Sequence, residues 1–316
     1  MKAVQISRYG GPEVLEYRDL PKPSITAGQV LVKVRATSVN PIDWKIRSGA
    51  LKLFVRKDLP FVLGCDIAGE IAEVGGGSRH KVGDAVFASL PGDTGAYAEY
   101  VAVPESLVAR KPKNMTFEEA ASVPACAETA LQGLRDMGLV KSGQRVLVNG
   151  ASGGVGIFGV QIAKALGATV TGVCSGANVT LVQGLGADEV LDYKKTDIFA
   201  PSGAPYDMVL DCVGNHDFGP FRAVMAPRSI FLTTSPKSWP GMFARQTFLN
   251  PFASKKAMLM ILKHTPGSLQ WISDQIEAGT IRTIVERTWP LAEVADAHRY
   301  SETSRTKGKL VMTLGA

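Results

Sequence analysis

Hydrophobic positions in the first third of the chain come in short runs broken by Gly and Pro: Gln29 to Ala36, Gly69 to Val74, Ala85 to Ala88 and Tyr97 to Val103. Runs of this length and punctuation predict strands, so residues 1–117 read as a mostly-β unit. From Phe117 the spacing changes, and Ala120, Ala121, Val123, Ala127, Ala130, Leu131 and Leu134 predict helices. Val146 to Val148 then reads as a buried strand, followed by a glycine turn. After Gly156 the residues Phe158, Ile162 and Leu166 recur at helical spacing, Gly167 is placed to end that helix, and Ala168 to Cys174 predicts the next strand. Glu189 to Asp192, Met208 to Cys212 and Ile230 to Thr234 are apolar runs of the kind that build a parallel sheet. The middle of the chain, residues 118–267, is therefore expected to be a doubly wound α/β domain. Ile281 to Pro290 and Gly308 to Leu314 predict strands with a helix Ala292 to His298 between them. Their irregular spacing suits the first unit, so residues 268–316 are expected to return to it.

The run Val146-Leu147-Val148-Asn149-Gly150-Ala151-Ser152-Gly153-Gly154-Val155-Gly156 carries the clearest chemistry. Glycines at 150, 153 and 156 allow a tight turn, a close approach of backbone N–H groups to a pyrophosphate, and close packing of the helix on its strand. The helix N-terminus then presents a partial positive charge to the phosphates. Strand, turn, helix and second strand fit one unit of about thirty residues, the context a dinucleotide-binding fingerprint requires.

The length of 316 residues fits two domains, and 45% apolar with 20% charged residues excludes the disordered and collagen-like classes. A formal charge of +6 and the cluster Lys45, Arg47, Lys52, Arg56 and Lys57 raise a nucleic-acid reading. No nucleic-acid motif accompanies them, so a solvated face or an attraction for an anionic cofactor is favoured. Cys65, Cys126, Cys174 and Cys212 are scattered, with no metal-type spacing, and read as reduced thiols. The opening Met1-Lys2-Ala3-Val4-Gln5-Ile6 looks like a strand, and no apolar run is long enough for a membrane span, so a cytoplasmic protein is expected. Lys237 to Phe252 interleaves Trp239, Phe243, Phe248 and Phe252 with Pro and Gly, which suits core packing or a flap or subunit contact equally.

Several segments together resemble the zinc-free quinone oxidoreductases of the medium-chain dehydrogenase/reductase superfamily. They are Tyr9-Gly10-Gly11-Pro12-Glu13-Val14-Leu15, Ser38 to Gly49, Gly64 to Gly75, Gly83-Asp84-Ala85-Val86, the nucleotide motif, Leu185-Gly186-Ala187-Asp188 and Gly308-Lys309-Leu310-Val311. Asp43-Trp44-Lys45 and Leu191-Asp192-Tyr193-Lys194 look most like the branch of chloroplast-envelope quinone oxidoreductases and enone oxidoreductases. The resemblance implies a GroES-like catalytic domain built from both chain ends, a Rossmann domain inserted between them, and a possible homodimer. Where zinc-dependent relatives place a catalytic Cys and a Gly-His-Glu sequence, this chain has Asn40 and Cys65-Asp66. With His80, His216, His264 and His298 lacking ligand spacing, metal-free chemistry is expected.

No acidic residue closes the second strand at Ser175-Gly176-Ala177-Asn178, where an NAD-selective site commonly has one, so NADPH is the expected cofactor. Ser175 and Asn178 offer hydrogen bonds, and the resemblance adds Tyr193 and Lys194 near the same phosphate. It also implies cofactor contacts from Gly150, Ser152, Gly153, Gly154, Val155, Thr129, Val213, Thr234 and Lys309. Hydride transfer without a metal favours conjugated acceptors, because negative charge spreads into an enolate or hydroquinone. Asn40 is expected to donate to the developing oxyanion and Lys45 to stabilise it by charge or bind cofactor. Asp43 either orients Lys45 or caps the turn after Pro41. A reductase of another carbonyl, or a nucleotide-binding structural or regulatory protein with little turnover, stays open as an alternative. The substrate itself depends on loops such as Leu51 to Phe61 and Lys237 to Phe252.

Overall fold

The computed structural model describes residues 1–52, 57–93, 95–200 and 203–315. Arg56 of the basic cluster and residues 53–56 of the loop Leu51 to Phe61 therefore lie outside the described residues. The chain divides into two compact units, one formed by Met1–Ala125 with His264–Ala316, the other by Cys126–Lys263.

The first unit is mostly β, as its punctuated apolar runs require. Its strands are β1 (Lys2–Ile6), β2 (Leu15–Asp19), β3 (Gln29–Val39), β4 (Phe61–Val62), β5 (Asp66–Val74), β6 (Ala85–Ser89), β7 (Tyr100–Pro104) and β8 (Ala109–Arg110). In the second unit the strands are β9 (Arg145–Asn149), β10 (Thr169–Cys174), β11 (Glu189–Asp192), β12 (Tyr206–Asp211), β13 (Met225–Thr233) and β14 (Lys256–Leu259). The chain returns to the first unit with β15 (Val285–Pro290) and β16 (Lys309–Thr313).

A small sheet runs β2-β1-β4, and a larger one runs β15-β16-β3-β5-β6-β8 with β7 paired to β3. The long central β3 ends in the buried Thr37 and Ser38 and passes through Asn40 into the helix Pro41–Arg47. Antiparallel pairing of β16 to β3 sets Leu310 against Val39, which brings Lys309 to Asn40. Pairing of β5 to β3 sets Ile67 against Thr37, which brings Asp66 to the same end. Two registers thus collect polar side chains from distant parts of the sequence at one buried spot.

The second unit is a six-stranded parallel sheet of order β11-β10-β9-β12-β13-β14, so the chain runs outward in both directions from β9. Ligands of such sheets bind at the carboxyl ends of the strands where the order reverses. Leu147, Val173, Val209, Phe221 and Phe231 fill its core. The aromatic segment forms a helix Trp239–Ala244 with Trp239 beside Phe243, while Phe248 and Phe252 are 70% and 92% exposed, so those two rings do not pack in the core. At the C-terminal end only Val285–Pro290 of the expected strand Ile281 to Pro290 pairs, because β16 offers partners over that stretch alone.

Candidate nucleotide cradle and polar cluster

The cradle in the second unit starts where β9 ends. Gly150 and Ala151 donate to the Val173 carbonyl at 3.1 and 2.9 Å, and Gly150 adopts a φ of 80° that suits glycine. Gly153 then caps the helix Gly154–Ala165, whose first turn holds no acidic side chain. A Cβ at Gly156 would stand 2.1 Å from the Gly150 carbonyl oxygen and 2.8 Å from Ala151 Cα, so only glycine lets the first turn lie this close. Gly153 differs. A Cβ there would meet the Gly150 oxygen at 3.5 Å, an ordinary contact, and otherwise faces open space.

Residues following the other strands face the same sheet edge. Asn178 donates from Nδ2 to Ser152 Oγ at 3.0 Å, while its buried Oδ1 accepts no hydrogen bond among the described residues. Tyr193 is 53% exposed and Lys194 is exposed, both just past β11. Val213 and Thr234 follow β12 and β13, and Thr129 is half-buried in the helix Pro124–Leu131. Gly154 and Val155 open the helix, and Ser175 precedes the turn Gly176–Asn178.

Two residues here were not singled out from the sequence. Asp211 is buried, its Oδ1 accepting from Asn149 Nδ2 at 2.9 Å and from the Val213 and Gly214 N–H groups at 3.2 Å. Its Oδ2 accepts from Thr233 Oγ1 at 2.9 Å, so one carboxylate ties together the ends of β9, β12 and β13. The signal was present, since Asp211 and Asn149 close two apolar strands that pair in register. The second is Asp192. The end of β10 lacks an acid of its own, but parallel pairing of Cys174 with Asp192 delivers one from the neighbouring strand. A Cβ at Gly176 would lie 2.6 Å from Asp192 Oδ2, and burial together with this carboxylate pushes the Cys174 thiol pKa up to about 11.

In the first unit, Asn40 is buried and its amide is engaged at both ends. Nδ2 donates to Asp66 Oδ2 at 2.8 Å and lies 3.3 Å from Cys65 Sγ and from Ser38 Oγ. Its Oδ1 accepts from Lys309 Nζ at 2.5 Å, and that ammonium is also 3.6 Å from Asp66 Oδ2. Ser38 Oγ and the Ala125 N–H complete the Asp66 carboxylate at 2.7 and 2.8 Å. Lys309, placed among the cofactor contacts by the resemblance, sits buried with Asn40 and Asp66 in the first unit. Asp43 accepts the Asn40 N–H at 2.7 Å and so closes the cap of its helix. Lys45, half-buried, stands 5.6 Å over the Trp44 ring, and burial lowers its pKa below the ordinary lysine value.

Among the described residues no group of three or more His, Cys, Asp and Glu side chains is placed to hold a metal, and no helix is long and apolar enough to cross a membrane. Residues 26–113 match the alcohol dehydrogenase GroES-like domain, and residues 185–312 match the family described as zinc-binding dehydrogenase. A chloroplast envelope quinone oxidoreductase homolog of Arabidopsis thaliana is 33% identical over 99% of this chain and 98% of its own. The NADPH-dependent alkenal/one oxidoreductase of the same plant's chloroplast is 34% identical over 99% of this chain and 79% of its own. Among solved structures, the quinone oxidoreductase of Coxiella burnetii has a TM-score of 0.88 at 30% identity, covering 100% of this chain and 99% of that one. The Escherichia coli quinone oxidoreductase complexed with NADPH reaches 0.86 at 25% identity, covering 99% and 100%. A Rossmann sheet with a glycine cradle, joined in one chain to a GroES-like unit that draws on both chain ends, agrees with these likenesses: the chain belongs to the medium-chain dehydrogenase/reductase superfamily of oxidoreductases.

Proposed function

We propose that this protein is an NADPH-dependent, zinc-independent oxidoreductase of quinones and α,β-unsaturated carbonyls. The observation that carries the reading is the cradle itself: a glycine turn with only an ordinary contact at Gly153, and the buried Oδ1 of Asn178, which accepts no hydrogen bond among the described residues. An orphaned acceptor costs stability unless a ligand donor meets it, and a ribose hydroxyl is such a donor. The names of the relatives, quinone oxidoreductase and alkenal/one oxidoreductase, supply the acceptor class.

When bound, the nicotinamide supplies a hydride. The backbone of Gly153, Gly154 and Val155 would hold the pyrophosphate at the helix N-terminus, with Gly150 shaping the turn. Ser152, Ser175, Asn178, Tyr193 and Lys194 would take the adenosine ribose and its phosphate. Thr129, Val213 and Thr234 would hold the nicotinamide end, Val213 fixed through its N–H by the Asp211 carboxylate and Thr234 through its N–H by the Asp211 carbonyl. Lys45 would stabilise the negative charge that develops on the acceptor oxygen. Asn40, with both ends of its amide engaged, would act by setting the start of the helix that bears Lys45, and Lys309 by holding Asn40.

Zinc independence rests on the donors present. Where zinc relatives bring several ligands together, Asn40 and Asp66 hold the Lys309 ammonium and Cys65 lies against the Asn40 amide, and this fixed positive charge repels a second cation. NADPH preference rests on Lys194 and on the lack of an acid on β10, and Asp192 on β11 limits it. Four cysteines outside any disulfide suit the reducing cytoplasm, and the edge strand β14 offers a surface for pairing two copies. The test is fluorescence titration with NADPH and NADH, followed by turnover with 1,4-naphthoquinone and but-3-en-2-one. Binding without turnover of any conjugated acceptor favours the alternative of a nucleotide-binding protein without catalytic work.

A further inference from the structure

The helix Pro41–Arg47 is too short to be stable on its own, yet it carries two buried charged residues, Asp43 and Arg47, at 0% and 2% exposure. A line of hydrogen bonds joins them through residues far away in the sequence. Asp43 Oδ2, which already accepts the Asn40 N–H, also accepts from Tyr97 Oη at 3.0 Å. Tyr97 Oη lies 3.1 Å from His298 Nε2, and His298 Nδ1 lies 3.0 Å from Arg47 Nη1. Arg47 in turn bonds Glu302 through Nη2 and the Gly10 carbonyl through Nε at 3.2 Å.

Chemistry fixes the direction of every bond in this line. A guanidinium only donates, so His298 Nδ1 must accept, and a neutral imidazole then carries its proton on Nε2. That proton points to Tyr97 Oη, whose own hydrogen goes to Asp43. Burial, and then the Arg47 charge, drive the His298 pKa down to about 3, and burial with the Asp43 carboxylate raises that of Tyr97. Both groups are therefore neutral near pH 7, as the bonding direction demands.

We propose that Tyr97 and His298 are positioning residues: they tie both ends of the helix that bears Lys45 to the helix Val294–Glu302, and thereby fix where the Lys45 ammonium stands. The inference rests on the part given to Lys45 under Proposed function. It makes a specific demand on position 298, which must accept at one end and donate at the other. The glutamine amide meets that demand with nearly the same separation of acceptor and donor, whereas leucine leaves the Arg47 donor and the Tyr97 oxygen unpaired in a buried place.

The test compares wild type, His298→Leu, His298→Gln and Tyr97→Phe as full chains. NADPH-dependent turnover of 1,4-naphthoquinone gives kcat and KM. The 13C resonance of Lys45, after reductive methylation and assignment by its loss in Lys45→Arg, reports the ammonium's surroundings. His298→Leu and Tyr97→Phe should each lower kcat about tenfold or more, as small misplacements of a charged group do, and shift the Lys45 resonance. His298→Gln should restore kcat to within about threefold and return the resonance to its wild-type position. Loss of melting temperature alone, with kcat and resonance kept, overturns the proposal, as does a folded His298→Gln that behaves like His298→Leu. If His298→Leu fails to fold, Tyr97→Phe decides by the same two readouts. A wild type without turnover defeats the functional reading instead, and the resonance still decides the inference.

Discussion

Gly153 and Gly156 lie three residues apart in one turn of chain, and the structure assigns them opposite kinds of constraint. In Gly156→Ala the new Cβ would stand 2.1 Å from the Gly150 carbonyl oxygen and 2.8 Å from Ala151 Cα, both backbone atoms that cannot rotate away. Alanine gains about 1 kcal/mol of helix propensity over glycine, but overpacking against fixed atoms costs about 1–3 kcal/mol and often more. The upper end applies here, because the helix must move off the end of β9. We expect a net loss of about 2 kcal/mol, or roughly 4–8 °C in melting temperature. In Gly153→Ala the Cβ makes an ordinary 3.5 Å contact and the backbone φ of −87° suits any residue. Its melting temperature should fall by no more than about 2–4 °C, the exchange of an N-cap glycine for alanine being worth less than about 1 kcal/mol. Affinity for NADPH should nevertheless fall about 10- to 100-fold, the worth of one charge-assisted hydrogen bond to phosphate. Differential scanning fluorimetry without ligand, paired with fluorescence titration, measures both numbers. The reasoning is refuted if Gly153→Ala binds NADPH as wild type does, or if Gly156→Ala melts unchanged.

Other expectations follow from the same contacts. Asp192→Asn should raise the preference for NADPH over NADH several-fold by removing a negative charge beside the turn Gly176–Asn178; an unchanged ratio in paired titrations contradicts this. Lys45→Ala should lower turnover of naphthoquinone about 10- to 100-fold and weaken NADPH by a smaller factor, and Asn40→Ala should act mainly on kcat, both read from steady-state kinetics. His298 stays neutral in the folded protein down to about pH 3, while its unfolded form gains a proton below about 6.5. The unfolded state thus binds more protons across that window, and acid removes stability at up to about 1.4 kcal/mol per pH unit from this group alone. Urea unfolding at pH 6.5 and 5.0 should show His298→Gln losing about 1–2 kcal/mol less than wild type, and equal losses would sink the argument.

Period and punctuation in the sequence were enough to separate a β unit from a doubly wound one, because glycine turns and alternating strands leave local marks. The cradle was legible for the same reason: Gly150, Gly153 and Gly156 lie in one short run, and their spacing alone states the turn. What escaped was everything made by register. Asp192 is invisible as a neighbour of Gly176 until β11 is paired with β10, and Asp211 cannot be read as a tie until three strand ends meet. Asn40 is the sharpest case. Its residue type suggested a donor to substrate, but the pairing of β16 with β3 turns Lys309 onto its oxygen while Asp66 takes its nitrogen. His298 stands in the sequence only as one of four histidines without ligand spacing, and its actual partners, Arg47 and Tyr97, come from segments that no local pattern links.

The central claim concerns which acceptor takes the hydride. Purified protein freed of metal by chelation, with its zinc content measured, should oxidise NADPH in the presence of 1,4-naphthoquinone or but-3-en-2-one and leave cyclohexanone and ethanol untouched. If zinc were needed for turnover, or if simple alcohols were oxidised faster than any conjugated acceptor was reduced, the account would be contradicted.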